Sequence, residues 1–296
     1  MKKKPKIVSV VGLTASGKSG IGIKLAQQFN GEIVSCDSRQ VYRGLDLGSG
    51  KVTRAEQALV KHHLLDVTDP GDAYFNVADF QLMAYAAIDD ILKRGKLPIL
   101  VGGSGLYSRS IVEGYSFSMQ NAECRMQNDL EKLSIKELQE MAKQKGLGLN
   151  GSDFNNKRRL IRKISGNLEL GTNQNAPRFD VLQICLMPER DAIEKLVVDR
   201  LDARIADGMI DETRNLIASG VSADFLQSLG LEYFWNVELI ENRITLDEYK
   251  INLALKIMQF VKRQRTWFKK EQNTIFLTEP KTFLNDCRDL IEKFIK

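Results

Sequence analysis

Apolar and polar positions change rhythm several times along the 296 residues of the chain. Residues 7–11 read Ile-Val-Ser-Val-Val, a β-branched run that predicts a strand buried on both faces. Ile21, Ile23, Leu25 and Ala26 follow among polar positions and predict a helix to about residue 29. Residues 32–35 predict a short strand that ends at Asp37. Residues 77–92 carry apolar side chains at Val77, Phe80, Ala84, Ala87, Ile88 and Ile91, the spacing of a helix with one buried face, and Gly95 caps it. Residues 97–101 read as a buried strand running into Gly102-Gly103-Ser104-Gly105. Strand and helix in alternation predict a parallel sheet covered by helices.

The rhythm breaks near Phe117. Residues 122–170 are polar, charged and helical in pattern, and 171–177 (Gly-Thr-Asn-Gln-Asn-Ala-Pro) form a loop signature. Residues 179–186 return as an apolar strand, 191–270 are mostly helical, and Thr274–Leu277 predicts a last strand before a closing amphipathic helix. Residues 118–177 are therefore expected to be a helical insertion, with 1–117 and 178–296 forming one α/β core.

A hydrophobic share of 43% with 27% charged residues fits a globular chain. No run approaches the ~18 apolar residues of a membrane span. Cys36, Cys124, Cys185 and Cys287 are scattered without a C-x-x-C pair, and His62 and His63 are the only histidines, so a structural zinc site is not expected. The expected setting is a reducing cytoplasm. A net charge of +5 permits a polyanionic partner. Two cationic clusters stand out, one at Lys157, Arg158, Arg159, Arg162 and Lys163, the other from Lys262 to Lys270.

The candidate chemistry begins at Gly12-Leu13-Thr14-Ala15-Ser16-Gly17-Lys18-Ser19, a complete G-x-x-x-x-G-K-[ST] phosphate loop between a strand and a helix. Its glycines let successive N–H groups curl around an anion, and the helix N-terminus adds partial positive charge. Lys18 can reach an outer phosphate and Ser19 can hold Mg²⁺. The loop implies a bound di- or triphosphate, most often a nucleotide such as ATP, without naming it. Asp37 closes a strand at the sheet edge where ligands collect, free to accept a proton or to cap the following turn. Gly102-Gly103-Ser104-Gly105-Leu106-Tyr107 brings backbone close to a ligand or makes a tight turn. Lys262-Arg263-Gln264-Arg265-Thr266-Trp267-Phe268 interleaves cations with aromatics, as single-stranded nucleic acid requires, or forms a solvated face with a buried Trp.

In order, GLTASGKS, DSRQVYRGLDLGSGK, HHLLDVTDP, GGSGLY, QSLGLE and KRQRTWF resemble the tRNA dimethylallyltransferase (tRNA isopentenyltransferase) family over about residues 6–270. The resemblance implies a P-loop NTPase-like parallel-sheet core with an inserted all-helical tRNA-binding domain. It implies transfer of a dimethylallyl group from dimethylallyl diphosphate to N6 of adenine 37 in the anticodon loop of tRNA, with Mg²⁺ as cofactor, by a protein acting as a monomer. The phosphate loop, Gly12 to Ser19, then holds the diphosphate, with Ser19 toward the metal. Asp37 is implied as general base, Ser104 as a ligand of the amine or diphosphate, and Arg204 as the family's diphosphate-contacting arginine. For tRNA, the resemblance implies contacts from Asp37, Ser38, Arg39, Gln40, Ser104, Arg125, Arg158, Arg159 and Arg162. It adds Gln227, Ser228, Leu229, Gly230, Leu231 and Glu232, and Lys262 with Arg263.

The chain departs from the family pattern at Leu13 for proline, Ser49-Gly50 for Thr-Ala and Ser104 for threonine, and lacks a tyrosine after Gly230. Gly208 follows Arg204 about one helical turn (~4 residues) early. Two other functions compete: a prenyltransferase of free adenine nucleotides, and a P-loop kinase or NTPase.

Overall fold

The computed structural model describes residues 3–71, 75–115, 130, 133–149, 154, 157–164 and 176–296. Among them, six strands form one parallel sheet: β1 (Lys6–Gly12), β2 (Gly31–Ser35), β3 (His62–His63), β4 (Leu97–Gly102), β5 (Asp180–Leu186) and β6 (Thr274–Leu277). Their order is β3-β2-β4-β1-β5-β6. β1 is central, with Val8 opposite Ile99 on one side and Leu182 on the other. Its side chains alternate as the pleat demands. Val8 and Val10 join a core with Ile23 and Leu25 of α1 (Lys18–Gln28) and Phe283, Cys287 and Ile291 near the C-terminus. Ile7 packs on the opposite face with Phe80, Ala84, Ile88 and Ile91.

The helices start where side chains can take up their free N–H groups. α2 (Arg54–Leu59) is capped by Thr53 and α3 (Val77–Lys93) by Asn76, each in a reciprocal capping box. α3 presents the expected Phe80, Ala84, Ile88 and Ile91 to the sheet. α4 (Gly105–Val112) follows β4 directly.

The two-residue β3 has no counterpart in the sequence pattern. His62 and His63 pair in register with Ile33 and Val34. His63 Nε2 meets the buried Glu32 Oε2 at 2.7 Å. Arg94 and Lys96 complete the ring around that carboxylate, and Arg94 above all holds Glu32 well below the usual carboxylate range.

The chain divides into two compact units, Glu113–Ala176 and the remainder, Met1–Val112 with Pro177–Lys296. The sequence pattern sets the insertion at 118–177, so its first edge lies five residues later. The smaller unit contains α5 (Ile135–Gln144), capped by Ser134 and Glu137, and α6 (Lys157–Ile164). Leu138 and Ala142 of α5 pack on Leu160, Ile161 and Ile164 of α6.

In the larger unit the chain continues through α7 (Arg190–Ala206), α8 (Met209–Ala218), α9 (Ala223–Leu229), α10 (Leu231–Ile240), the 23-residue α11 (Leu246–Phe268) and α12 (Phe283–Ile295). α7 and α11 bury Ile193, Val197, Leu253 and Ile257 against Val11, Leu13 and Cys185 at the carboxyl ends of β1 and β5. No helix among the described residues is long and apolar enough to cross a membrane.

Candidate active site

The strand order puts the carboxyl ends of β2, β4 and β1 side by side, so three loops converge there. The first is the phosphate loop. Gly12 has φ 147°, and a Cβ there would lie 2.2 Å from the Leu186 carbonyl oxygen. Gly17 has φ 80° and sits directly before α1. Ala15 holds φ 61°, a left-handed conformation that costs a non-glycine residue on the order of 1 kcal/mol. Lys18 Nζ donates to the Leu13 carbonyl at 2.9 Å and folds back over the loop. Burial, with Arg200 second, lowers the Lys18 ammonium to about 8.

The second loop follows β2. The Arg39 N–H donates to Asp37 Oδ1 at 2.9 Å, so Asp37 closes its turn while its other oxygen keeps no partner among the described residues. The third follows β4. Ser104 donates its N–H to the Cys36 carbonyl at 3.2 Å, and its Oγ accepts the Ser38 N–H at 3.1 Å. The second and third loops are thereby laced together.

Lys18, Asp37, Ser38 and Ser104 all line one cavity of about 420 Å³. Tyr107, Tyr233, Phe260, Trp267 and Phe268 give the same cavity aromatic walls. A further wall is the turn before Ser49. The Glu212 carboxylate accepts the N–H groups of Asp46, Leu47 and Gly48 at 3.0, 2.6 and 3.1 Å, and the Tyr233 hydroxyl at 3.0 Å. Ser49 lines the cavity with its hydroxyl donated to the Leu45 carbonyl at 2.6 Å.

The arginines of α7 divide their work. Arg200 lines the cavity and donates to the Thr14 hydroxyl at 2.7 Å, and burial, then Arg204, lowers its guanidinium to about 10. Arg204, one turn later, pairs with Glu232 at 3.3 Å, both side chains nearly buried. Two desolvated cations, Lys18 and Arg200, thus stand at the phosphate loop. A bound anion relieves that cost.

Among the described residues, no group of three or more His, Cys, Asp or Glu is placed to hold a metal. Ser19 follows Lys18, and Ser16 Oγ is buried with no hydrogen-bond partner among the described residues. Such hydroxyls fit a cation that arrives on a diphosphate and keeps the phosphate oxygens as ligands.

The family model described as IPP transferase matches residues 40–271. A tRNA dimethylallyltransferase of Exiguobacterium sp. is 39% identical over 94% of this chain and 91% of its own length. The chain belongs to the IPP transferase family. A tRNA dimethylallyltransferase of Caldicellulosiruptor saccharolyticus is 36% identical over the whole of both chains. The crystal structure of the tRNA isopentenylpyrophosphate transferase of Bacillus halodurans matches with a TM-score of 0.72 and 29% identity, covering 98% of each chain.

Within this IPP transferase fold some of the expected site residues line the cavity and others lie elsewhere. Thr14, Lys18, Asp37, Ser38, Arg39 and Ser104 line the cavity. So do Gly230, Leu231, Glu232 and Arg263. Others do not. Gln40 is buried, its Oε1 accepting from Ser35 Oγ and its Nε2 donating to the Gly50 carbonyl, both at 3.1 Å, so it braces the turn. Gln227 donates to Glu238 at 2.8 Å, Ser228 to the Phe225 carbonyl at 2.7 Å, and Leu229 is core. Lys262 lines a different cavity with Leu255 and Met258. Arg158, Arg159 and Arg162 lie on α6, in the smaller unit. Arg125 lies outside the described residues. Arg200, Glu212, Tyr233 and Phe260 are among the site residues that sequence reasoning left out, and it quoted Gln264 only as part of a cationic segment. The early arrival of Gly208 was the available signal for Arg200.

Proposed function

We propose that this IPP transferase moves a dimethylallyl group from dimethylallyl diphosphate to N6 of adenine 37 in the anticodon loop of tRNA, releasing diphosphate. The observation that carries the reading is the cavity itself. Two half-buried cations at a phosphate loop share it with Asp37 and with aromatic walls.

The chemistry follows from those parts. The phosphate loop holds the leaving group, and no phosphoryl group moves. Lys18, Arg200 and the loop N–H groups stabilise the charge that gathers on the diphosphate as the C1–O bond breaks. The N6 lone pair is delocalised into the adenine ring and is a poor nucleophile. It forms the new bond to C1 while the Asp37 carboxylate, lining the same cavity, accepts a proton from N6. Ser104, held by Ser38, can orient that amine. Mg²⁺ would be held by Ser19 and the substrate's own oxygens, and when bound it neutralises phosphate charge. The adenine must leave its stack to enter, at a cost of a few kcal/mol, and the aromatic walls offer stacking in return.

Arg200 takes the diphosphate-contacting role that the resemblance assigned to Arg204, because Arg200 reaches the phosphate loop. The protein is proposed to act as a cytoplasmic monomer, with Arg158, Arg159 and Arg162 contacting tRNA.

The test is genetic and chemical together. tRNA from a strain lacking this gene should carry unmodified adenine 37 in place of the prenylated base, and the gene returned on a plasmid should restore it. Full prenylation in the deletion strain contradicts the proposal.

A further inference from the structure

The segment 262–268 has the composition of a nucleic-acid surface, yet its one amide residue points into the protein. Gln264, on α11, is only 6% exposed. Its Oε1 accepts the Thr14 N–H at 2.8 Å, and its Nε2 donates to the Gly103 carbonyl at 2.9 Å. One planar amide thus bridges the phosphate loop and the loop that carries Ser104. The two bonds fix its orientation, since a flipped amide would set donor against N–H and acceptor against carbonyl.

The approach is close. A Cβ on Gly103 would lie 2.8 Å from Gln264 Nε2, and one on Gly105 would lie 2.2 Å from Trp267 Nε1. The glycines on either side of Ser104 therefore answer to α11, three residues apart on one helix face. From the phosphate loop the connection runs Thr14, Gln264, Gly103, then Ser104 to Ser38 beside Asp37.

We infer that Gln264 is a positioning residue for prenyl transfer, holding the loop that binds the leaving group in register with the loops that receive the acceptor. The inference rests on the reading of the cavity as a prenyl-transfer site. Each loop meets its own ligand with its own groups. Losing the bridge should therefore slow the reaction in the ternary complex more than it weakens either ligand alone. Misplacement by about 1 Å can cost on the order of a hundredfold in rate.

Two variants test this. Gln264→Met keeps length and loses both bonds. Gln264→Glu repeats the amide pattern only when protonated, with the carbonyl accepting and the O–H donating. Ionised, it sets an oxygen against the Gly103 carbonyl and cannot donate. Single-turnover transfer from labelled dimethylallyl diphosphate to an anticodon stem-loop would be measured, beside separate affinities for magnesium diphosphate and for the stem-loop.

With Gln264→Met the rate should fall at least about tenfold, with each affinity within about threefold of wild type. The Gln264→Glu rate, relative to wild type, should rise as pH falls from about 8 to about 5.5, while the Gln264→Met ratio stays flat. The inference is overturned by a Gln264→Met rate within about threefold of wild type, by an equal loss of diphosphate affinity, or by a flat Gln264→Glu ratio. A wild-type protein that transfers no label overturns the prenyl-transfer reading instead. The bridge is then judged by amide exchange, which Gln264→Met should speed at residues 12–18 and 102–108 and leave unchanged at 84–92. Unchanged exchange at the two loops overturns it.

Discussion

Arg200 donates to the Thr14 hydroxyl at 2.7 Å, inside the phosphate loop. Arg204, one turn along the same helix, ends instead on Glu232. Arg200→Ala should therefore lower transfer by about 10²–10³-fold, the usual cost of removing one preorganised group that faces developing charge. It should also weaken diphosphate binding. Arg204→Met should act mainly on stability, because it leaves Glu232 buried without its partner, at about 3 kcal/mol. Urea unfolding of Arg204→Met and of Arg204→Met with Glu232→Leu checks this, and the double variant should recover part of the loss.

Asp37 both closes a turn and faces the cavity. Asn keeps an oxygen for the Arg39 N–H and loses the base. Asp37→Asn should lower kcat by at least about 10²-fold with little change in Tm, whereas Asp37→Ala should lower both. Equal kcat in Asp37→Asn and wild type would remove Asp37 from the proton transfer.

Lys18 titrates near 8 without ligand, lowered first by burial and then by Arg200. The sign is that of a cation disfavoured in the folded protein. The cost is present below about 8 and is relieved as pH rises from there toward the ordinary lysine value near 10.5. A bound diphosphate favours the ammonium again. Binding should take up protons at about pH 8.5, and affinity should fall as pH rises above 8. Calorimetry of diphosphate binding in buffers of different ionisation enthalpy reads the uptake directly.

Gly105 has Trp267 where a Cβ would stand, 2.2 Å from the indole nitrogen. Gly105→Ala should destabilise the fold by about 1–3 kcal/mol through overpacking. Adding Trp267→Phe should recover part of that loss. Chemical denaturation of the two variants measures both effects.

Where a feature is written in contiguous residues, the sequence displayed it. The phosphate loop is one stretch from Gly12 to Ser19, and Asp37 and Ser104 each end a strand whose pattern is plain, so their convergence followed from the parallel sheet. β3 has two residues and leaves no periodicity. Gln264, Glu212 and Arg200 act through side-chain bonds across 250, 166 and 186 positions of chain, which no local pattern records. The resemblance implies Arg204 although Gly208 then comes one turn early, and Arg200, one turn before it, removes that shortfall. The resemblance implies a tRNA contact from Gln40, next in sequence to the cavity-lining Ser38 and Arg39. Its burial came from Ser35 and Gly50, on opposite sides of the turn.

The central claim is that the cavity transfers a prenyl group to RNA. Purified protein, Mg²⁺ and radiolabelled dimethylallyl diphosphate would be offered an anticodon stem-loop RNA, AMP or no acceptor, with ATP hydrolysis followed alongside. The account predicts label on N6 of adenine 37 in the RNA, none on AMP, and no ATP hydrolysis in the absence of prenyl diphosphate. Label on AMP with none on RNA, or ATP hydrolysis with no transfer, would contradict it.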